Sequence, residues 1–304
     1  MIRMIRRQFI KTSALTFLGA ALLNEKSLAN SLKKKERIGI QLYSIRAAMK
    51  ENPLGTLQKL AAMGYTIVEH ANYVNRKFYG YTPSEFKKIL ADLGMKMPSG
   101  HTVLNKIHWN ETAKDFTDVW KYTIEDAAFM GQKFVISPYL DAALRKSYDS
   151  FMAQMDIFNK SGELCKKSGM KFGYHNHDFE FSEKFNDRTL YDIMLKGTDA
   201  DLVMQQLDTG NLYNGGAKAI DIVNAYPGRF ESIHVKDEIL ISDNPKKYES
   251  TVIGKGIAGI QDILKVLDTM KNKPELIIEQ EAYQNVDPMA CMKENYDKMK
   301  AWGY

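Results

Sequence analysis

Acidic and imidazole side chains follow nearly every short apolar run of this 304-residue sequence. They are Glu69 and His70, His101, His175 and His177, Asp208, His234 with Lys236 and Asp237, and Glu279 with Glu281. Imidazole and carboxylate groups together suit a divalent first-row metal ion when three or four converge and one position stays open. Such an ion polarises a substrate carbonyl or hydroxyl, and a nearby His, Glu or Lys can take a carbon-bound proton. The residue types therefore predict metal-assisted proton transfer.

The apolar runs alternate with longer segments of helical periodicity, which predicts a parallel sheet. The predicted strands cover residues 38–42, 66–69, 96–101, 134–137, 171–175, 203–208, 232–236 and 276–279. The clearest helical segments cover residues 53–63, 83–93, 112–130, 148–168, 217–226 and 260–270. Eight repeats in about 240 residues match a closed (β/α)8 TIM barrel, although an open doubly wound sheet gives a similar pattern. The polar strand ends favour the barrel, which gathers its active site there.

The sequence lacks the usual turns for binding nucleotides. Tyr43-Ser44-Ile45-Arg46 follows the first strand, where a dinucleotide fold would have a Gly-rich loop. Gly254-Lys255-Gly256 follows the seventh strand, but a turn with two glycines is more often ordinary loop geometry than an anion site. Cys165 and Cys291 lie in helical patterns and are expected to be buried thiols. His108 lies in a loop, and we expect no chemical role for it.

Residues 1–29 have the pattern of an export signal. A basic start precedes an apolar run at 14–23, whereas a membrane-spanning helix needs about twenty apolar residues. Ser27-Leu28-Ala29 offers a cleavage site, and Arg6-Arg7-Gln8-Phe9 resembles a twin-arginine signal. We therefore expect a periplasmic protein with no stable membrane insertion, in which residues 30–304 form a single TIM-barrel catalytic domain. An uncleaved anchor is the alternative.

Charge argues against a nucleic-acid partner. The signal segment carries most of the net charge of +5. The remaining basic residues are spread among nearly as many acidic ones, whereas phosphate-backbone binding needs a concentrated basic face. A small-molecule substrate is expected instead. Apolar residues at helical spacing in 288–302 could cap the barrel or join two subunits, so a homo-oligomer is possible.

Five motifs together resemble the sugar phosphate isomerase/epimerase family of xylose isomerase-like TIM barrels. They are GIQLYS at 39–44, YHNHDFEF at 174–181, QLDTGN at 206–211, HVKD at 234–237 and EQE at 279–281. The fifth-strand motif is the specific one. The resemblance implies a carbohydrate substrate and one divalent metal ion, which could be Mn, Co, Zn or Mg.

The resemblance also implies a set of metal ligands and acid/base groups. By position the ligands are His175, Asp208, His234 and Glu279, with His175 standing where many sugar epimerases have a glutamate. That departure argues against a mechanism with two opposed glutamates. One of His175 and His177 is then a ligand and the other a general base, with Glu279 and Lys236 also in the catalytic set. Glu281 is an alternative to Glu279, because both face the same side of an extended strand.

The remaining polar groups of the motifs are expected to contact the sugar. The predicted substrate-binding residues are Glu69, His101, Asn176, Glu180, Gln206, Asn211, Lys236 and Glu281. Strand alternation favours Glu69 over His70 as the inward-facing residue. Lys236 could instead form a structural ion pair with Asp237. Tyrosines at the strand ends, among them Tyr43 and Tyr139, could form the walls of a sugar site.

Three functions fit these observations. The first is a sugar isomerase or epimerase acting next to a carbonyl on a non-phosphorylated sugar, since phosphorylated sugars are cytoplasmic. The second is a lyase on the same metal site that eliminates the aglycone of a 3-keto-glycoside. The third, of another class, is a barrel that binds sugar without turning it over. A scaffold barrel with a dead site and no bound metal is a separate rival.

Overall fold

Eight parallel strands close into a barrel in the computed structural model, which describes residues 37–241 and 247–304. The strands are β1 Ile38–Gln41, β2 Ile67–His70, β3 Lys96–His101, β4 Phe134–Ser137, β5 Lys171–His175, β6 Val203–Asp208, β7 Phe230–Val235 and β8 Glu275–Ile278. Each strand pairs with its neighbours in the chain, and β1 pairs with both β2 and β8. This closure confirms the TIM barrel and excludes the open doubly wound sheet.

Helices surround the barrel between successive strands. They are α1 Arg46–Glu51, α2 Pro53–Met63, α3 Pro83–Asp92, α4 Asp118–Met130, α5 Tyr148–Lys167, α6 Phe179–Ser182, α7 Leu190–Gly197, α8 Thr209–Asn214, α9 Ala219–Ala225, α10 Ile260–Asp268 and α11 Pro288–Ala301. Four short antiparallel hairpins lie in the loops at 73–78, 109–116, 184–189 and 237–251. Among the helices in the described ranges, none is both long enough and apolar enough to span a membrane.

Local sequence fixes where several helices begin and end. Thr82 caps α3 by accepting a hydrogen bond from the backbone N–H of Glu85, whose carboxylate in turn accepts one from the Thr82 backbone N–H. Gly64 ends α2 in the left-handed conformation, which costs glycine little. The helix predicted from residue 112 begins only at Asp118, because residues 109–116 form a hairpin.

The barrel interior changes from apolar to polar along its axis. Residues two apart on each strand face inward, so Ile67, Ile136, Met204 and Ile277 lie below Glu69, Gln206 and Glu279. A Cβ atom added at Gly39 would lie 2.6 Å from Ile277, and one added at Gly173 would lie 2.7 Å from Met204. Glycine at these two positions therefore avoids a steric clash with the apolar side chains. The buried polar layer above includes Gln41, Ser99 and Ser232.

The structure also tests the predicted orientation of Glu69 and His70 and the predicted state of the two cysteines. Glu69 faces inward, whereas His70 packs with Phe78 and Tyr73 on the opposite side. Cys165 and Cys291 are free and buried, as expected. The expected signal segment lies outside the described residues, so the signal and the boundary at residue 30 stay predictions.

Candidate metal centre and active site

Four side chains converge at the carboxyl ends of β5 to β8. His175 ends β5, Asp208 ends β6, His234 is the fifth residue of β7, and Glu279 follows β8 directly. One potential ligand atom from each lies within 4.8 Å of the others, and all four residues are buried. Ligands bonded at about 2.1 Å to a single ion are separated by similar distances. These are the four ligands that the sequence resemblance implied.

The orientation of the donors fits a divalent ion. His234 Nδ1 lies 3.1 Å from Glu279 Oε2 and 3.8 Å from Asp208 Oδ2, while His175 Nε2 lies 3.9 Å from Asp208 Oδ2. Asp208 Oδ1 accepts a hydrogen bond from Asn211 N at 2.7 Å. Its Oδ2 is buried and has no hydrogen-bond partner among the described residues. A buried carboxylate oxygen without a partner is costly, and a bound cation would satisfy it.

Three imidazoles form a second possible ligand group, made of His101, His175 and His234. His101 stacks on His234 with ring centroids 5.2 Å apart, and its Nε2 lies 2.7 Å from Gln206 Oε1. That nitrogen is thus already engaged. The group also lacks the carboxylates that balance a divalent charge, so the four-residue set fits better.

Glu69 lies next to the candidate ligand cluster and fixes the orientation of His234. Its Oε1 is 2.6 Å from His234 Nε2, and its Oε2 accepts hydrogen bonds from Gln206 Nε2 at 2.8 Å and from Ser99 Oγ. With its Nε2 proton held by Glu69, His234 would bind a divalent ion at Nδ1 in place of the second ring proton, as in carboxylate–histidine–metal triads. Glu69 is fully buried and positions His234, and its predicted sugar contact stays a prediction.

Burial and neighbouring charge set the protonation of these groups. Burial favours a raised pKa for Glu69, but His101 and His234 outweigh it and lower the pKa to about 2. Burial favours a lowered pKa for His234, yet Glu279 and Glu69 raise it to about 10. Burial and the neighbouring imidazoles hold the pKa of His175 well below its usual range. His175 is therefore neutral, which is the form that binds metal.

Lys236 lies beside the four ligands as a buried ammonium group. Its Nζ is 2.5 Å from Glu281 Oε2 and 3.2 Å from Asn211 Oδ1. Burial favours a lowered pKa for Lys236, but Asp208, Glu279 and Glu281 raise it well above the usual value. Glu281 is thus the partner of Lys236, and it lies outside the clustered ligand set.

Asp237 does not pair with Lys236. Its carboxylate accepts hydrogen bonds from four backbone N–H groups, at Glu238 (3.0 Å), Gly254 (2.8 Å), Gly256 (3.1 Å) and Ala258 (3.1 Å). The alternative of a structural ion pair with Lys236 is therefore wrong. Such a ring of backbone donors satisfies a buried anion without a neighbouring cation.

A cavity of about 420 Å³ opens over this centre. His177 lines it, and His177 Nδ1 is buried without a hydrogen-bond partner in the described part of the chain. Its ring is nearly parallel to that of Phe179, with centroids 6.0 Å apart. Burial and the charge of Lys236 lower the pKa of His177. A neutral imidazole in the wall of a cavity is a suitable proton acceptor.

The predicted substrate-binding residues divide into two groups. His101, Asn211, Lys236 and Glu281 line the cavity, together with the predicted catalytic residues His175, His177 and Glu279. The other four, all buried below or beside it, are Glu69, Asn176, Glu180 and Gln206. Their hydrogen bonds go to other protein groups, and their contact with a sugar stays a prediction.

Asn176 and Glu180 are both bound by protein groups. Asn176 Oδ1 accepts a hydrogen bond from Asp208 N at 2.9 Å, and its Nδ2 donates to Asp208 O at 3.2 Å. Glu180 accepts hydrogen bonds from the Tyr174 hydroxyl and, at 2.8 Å, from His177 N. Asn176 thus holds the backbone of Asp208, and Glu180 holds the backbone of His177.

Sequence reasoning missed several residues of the site. Asn72 and Thr102 line the cavity, and Gln41 and Ser99 bind Glu69 from the two neighbouring strands. The period-two pattern could have identified Gln41 and Ser99, which stand at inward positions. Tyr43 and Tyr139 do line the cavity, as proposed for the strand-end tyrosines.

The chain is similar in sequence to proteins named inosose dehydratase. The chain is 25% identical over 198 residues to an inosose dehydratase of Clostridium perfringens, covering 56% of this chain and 66% of that protein. It is 30% identical over 160 residues to an inosose dehydratase of Clostridium beijerinckii, covering 48% and 53%. The matches thus span between half and two thirds of these relatives.

Solved structures match over a larger part of the chain. A sugar phosphate isomerase/epimerase from Parabacteroides distasonis is 25% identical, with a TM-score of 0.73 and coverage of 88% of this chain and 94% of that one. An L-ribulose 3-epimerase, at 15% identity and a TM-score of 0.65, shares the fold. The family model described as the xylose isomerase-like TIM barrel matches residues 57–302. The chain therefore belongs to the xylose isomerase-like TIM barrel family.

Proposed function

We propose that this protein is a metal-dependent enzyme that removes a proton beside a carbonyl of a non-phosphorylated sugar or cyclitol. The observation that carries the proposal is the cluster of His175, Asp208, His234 and Glu279 at a cavity whose lining includes His175, His177 and Glu279. A divalent ion held by the cluster would polarise the carbonyl and acidify the adjacent C–H bond. A binding protein that left its sugar unchanged would have no need of this arrangement.

We assign β-elimination as the outcome that follows proton removal. His177 takes the proton, and the electron pair of the C–H bond forms the new double bond as the neighbouring C–O bond breaks. The departing oxygen keeps the electron pair of that bond and receives a proton from the Lys236 ammonium, which Glu281 orients. The products are an unsaturated keto-sugar and water or an alcohol.

Two observations support elimination over epimerisation. The strand-five ligand position carries His175, so the two opposed carboxylates of a symmetrical epimerase are missing from the described ligand set. The inosose dehydratases among the relatives are lyases by name. Isomerase or epimerase activity is the second candidate, because Lys236 and His177 both line the cavity and could protonate carbon from different sides.

Metal analysis and solvent exchange test the proposal together. We expect about one divalent ion per purified chain, with loss of the ion in His234→Ala and Asp208→Ala. Asp221→Ala removes an exposed carboxylate and serves as the control. His177→Gln should keep the metal and lose about 10²- to 10⁴-fold in kcat.

The reaction product distinguishes elimination from isomerisation or epimerisation. In D₂O, a panel of ketoses, inososes and 3-keto-glycosides should include a compound that loses water or its aglycone. Recovery of a deuterated isomer or epimer would establish the second candidate instead. A metal-free protein, indifferent to both ligand substitutions, would overturn the proposal.

A further inference from the structure

A second cavity, the side groove, adjoins the active-site cavity. Its volume is about 520 Å³, and it shares Tyr43, Ala71 and Asn72 with the cavity over the metal centre. The side groove is therefore adjacent to the cavity over the ligand cluster, within reach of a substituent on a sugar bound there. Free monosaccharides would leave this second volume unfilled.

The floor of the side groove suits a flat apolar group. Leu42 and Met49 are buried beneath it, and Pro53 lies at its edge. Tyr79 lines one side, and its hydroxyl is fixed by a hydrogen bond accepted from Ala71 N at 2.9 Å. Tyr43 is 42% exposed, although large apolar rings are usually more covered. Aromatic and apolar surfaces of this kind bind planar rings.

The rim of the side groove is positively charged. Arg46 and Lys50 are both exposed there, and none of the described residues that line the groove is acidic. The Arg46 guanidinium lies 4.7 Å from the centre of the Tyr43 ring and donates a hydrogen bond to Tyr43 O at 3.2 Å. This holds a cation beside the aromatic surface, where it can meet an anionic group.

We propose that the side groove binds an aromatic, acid-bearing substituent of the sugar, so that the substrate has two parts. The inference rests on the proposed function for the sugar half of the molecule. The substituent follows from the adjacency of the two cavities, the apolar floor of the side groove and the absence of acidic residues among the described residues that line the groove beside its two cations. In the elimination reaction this substituent is the leaving group.

Binding of the aromatic half alone tests the side groove. The probe is 4-hydroxybenzoate, followed by ligand-observed NMR titration of the metal-loaded protein. We expect the Arg46→Gln/Lys50→Gln double variant to bind it about fivefold more weakly than wild type, and neutral phenol to show no such difference. Lys167→Gln/Lys271→Gln removes the same charge at exposed positions away from both cavities and should stay within about twofold of wild type.

Turnover is measured separately, which keeps the two proposals distinguishable. The Michaelis constant for a carboxyphenyl 3-keto-glucoside should rise in the groove variant, while the constant for methyl 3-keto-glucoside stays the same. If neither glycoside reacts, the proposed function is challenged, yet the benzoate titration still decides the groove. Absence of benzoate binding to wild type, or equal weakening in both double variants, would overturn the side-groove proposal.

Discussion

His234 makes a different contact at each ring nitrogen, and this fixes its role in the site. Nδ1 faces Glu279 and Asp208, while Nε2 is held by Glu69 from the opposite side. The carboxylate of Glu69 keeps a proton on Nε2 and restricts rotation of the ring. Both effects preorganise the ligand before any metal binds.

Glu69→Gln should weaken metal binding without unfolding the protein. The amide keeps a hydrogen-bond acceptor near His234 Nε2 but removes the negative charge, so metal affinity should fall about 10- to 100-fold. Competition with a metal-binding dye measures the affinity directly, without substrate. Glu281→Gln is the matched control, because Glu281 pairs with Lys236 and lies outside the ligand cluster. An equal loss in both variants would mean that general charge, rather than orientation of His234, governs affinity.

The sequence predicts which residues form the site better than it predicts how their side chains are oriented. Strand alternation correctly placed Glu69 inward, and motif positions brought together His175, Asp208, His234 and Glu279. Which oxygen meets which nitrogen depends on side-chain rotation across different strands, and no local pattern encodes it. The pairing of Lys236 with Glu281, 45 residues apart, is one of the contacts that no local pattern predicts.

The hairpin after β7 is the element that positions Lys236. Residues 237–240 pair antiparallel with residues 248–251, and Asp237 begins the first of these strands. Its carboxylate binds the backbone of Gly254, Gly256 and Ala258 in the loop that leads to α10. A Cβ at Gly256 would come within 2.3 Å of that carboxylate, so the close approach requires glycine.

Asp237→Asn should loosen this element. The aspartate offers two acceptor oxygens to the four N–H groups, whereas asparagine offers one. At least one N–H donor therefore loses its hydrogen bond, which should lower the free energy of unfolding by about 1–3 kcal/mol. Urea unfolding would show the lower stability, and hydrogen exchange would show faster exchange at 254–258. Asp262→Asn, at an exposed position in α10, is the comparison. Unchanged exchange at 254–258 would argue against the role of the carboxylate.

Element boundaries show where sequence patterns stop being informative. The helix predicted over 112–130 loses its first six residues to the 109–116 hairpin. Polar residues at 110–115 fit either structure, and the choice depends on Trp109 and Phe116 packing edge to face. Helix periodicity is strong only from Asp118 onward, where Trp120, Ile124 and Ala127 face the core.

For the whole molecule, Glu180 links fold stability to pH. Burial raises its folded-state pKa from 4.5 to about 7. The folded state therefore holds the proton more tightly than the unfolded chain, so this stabilisation is present below pH 4.5 and is lost as the pH rises through about 7.

Glu180→Gln should remove that pH dependence. Because glutamine cannot ionise, the stability of the variant relative to wild type should be higher at pH 8 than at pH 4. Urea unfolding at both pH values measures the difference. Glu163→Gln, on the exposed face of α5, should show no such trend. A constant difference for Glu180→Gln would mean that the carboxyl titrates alike in both states.

Export is a further proposal about the molecule as a whole. Cleavage after Ala29 should give a periplasmic protein that begins at Asn30, as N-terminal sequencing would show. Arg6→Lys/Arg7→Lys should retain the protein in the cytoplasm if the twin-arginine pathway carries it. Lys11→Arg keeps the charge outside the pair and should be exported normally. Export of the double-lysine variant would refute this route.

The ring of amides around Asp237 also bears on substrate choice. Many TIM barrels bind a substrate phosphate with the loops that follow strands seven and eight. Here residues 254–258 occupy that part of the chain, and their N–H groups already hold a carboxylate that belongs to the protein. An incoming phosphate would meet like charge and engaged donors. We infer that the barrel discriminates against phosphorylated sugars through an anion built into its own backbone turn.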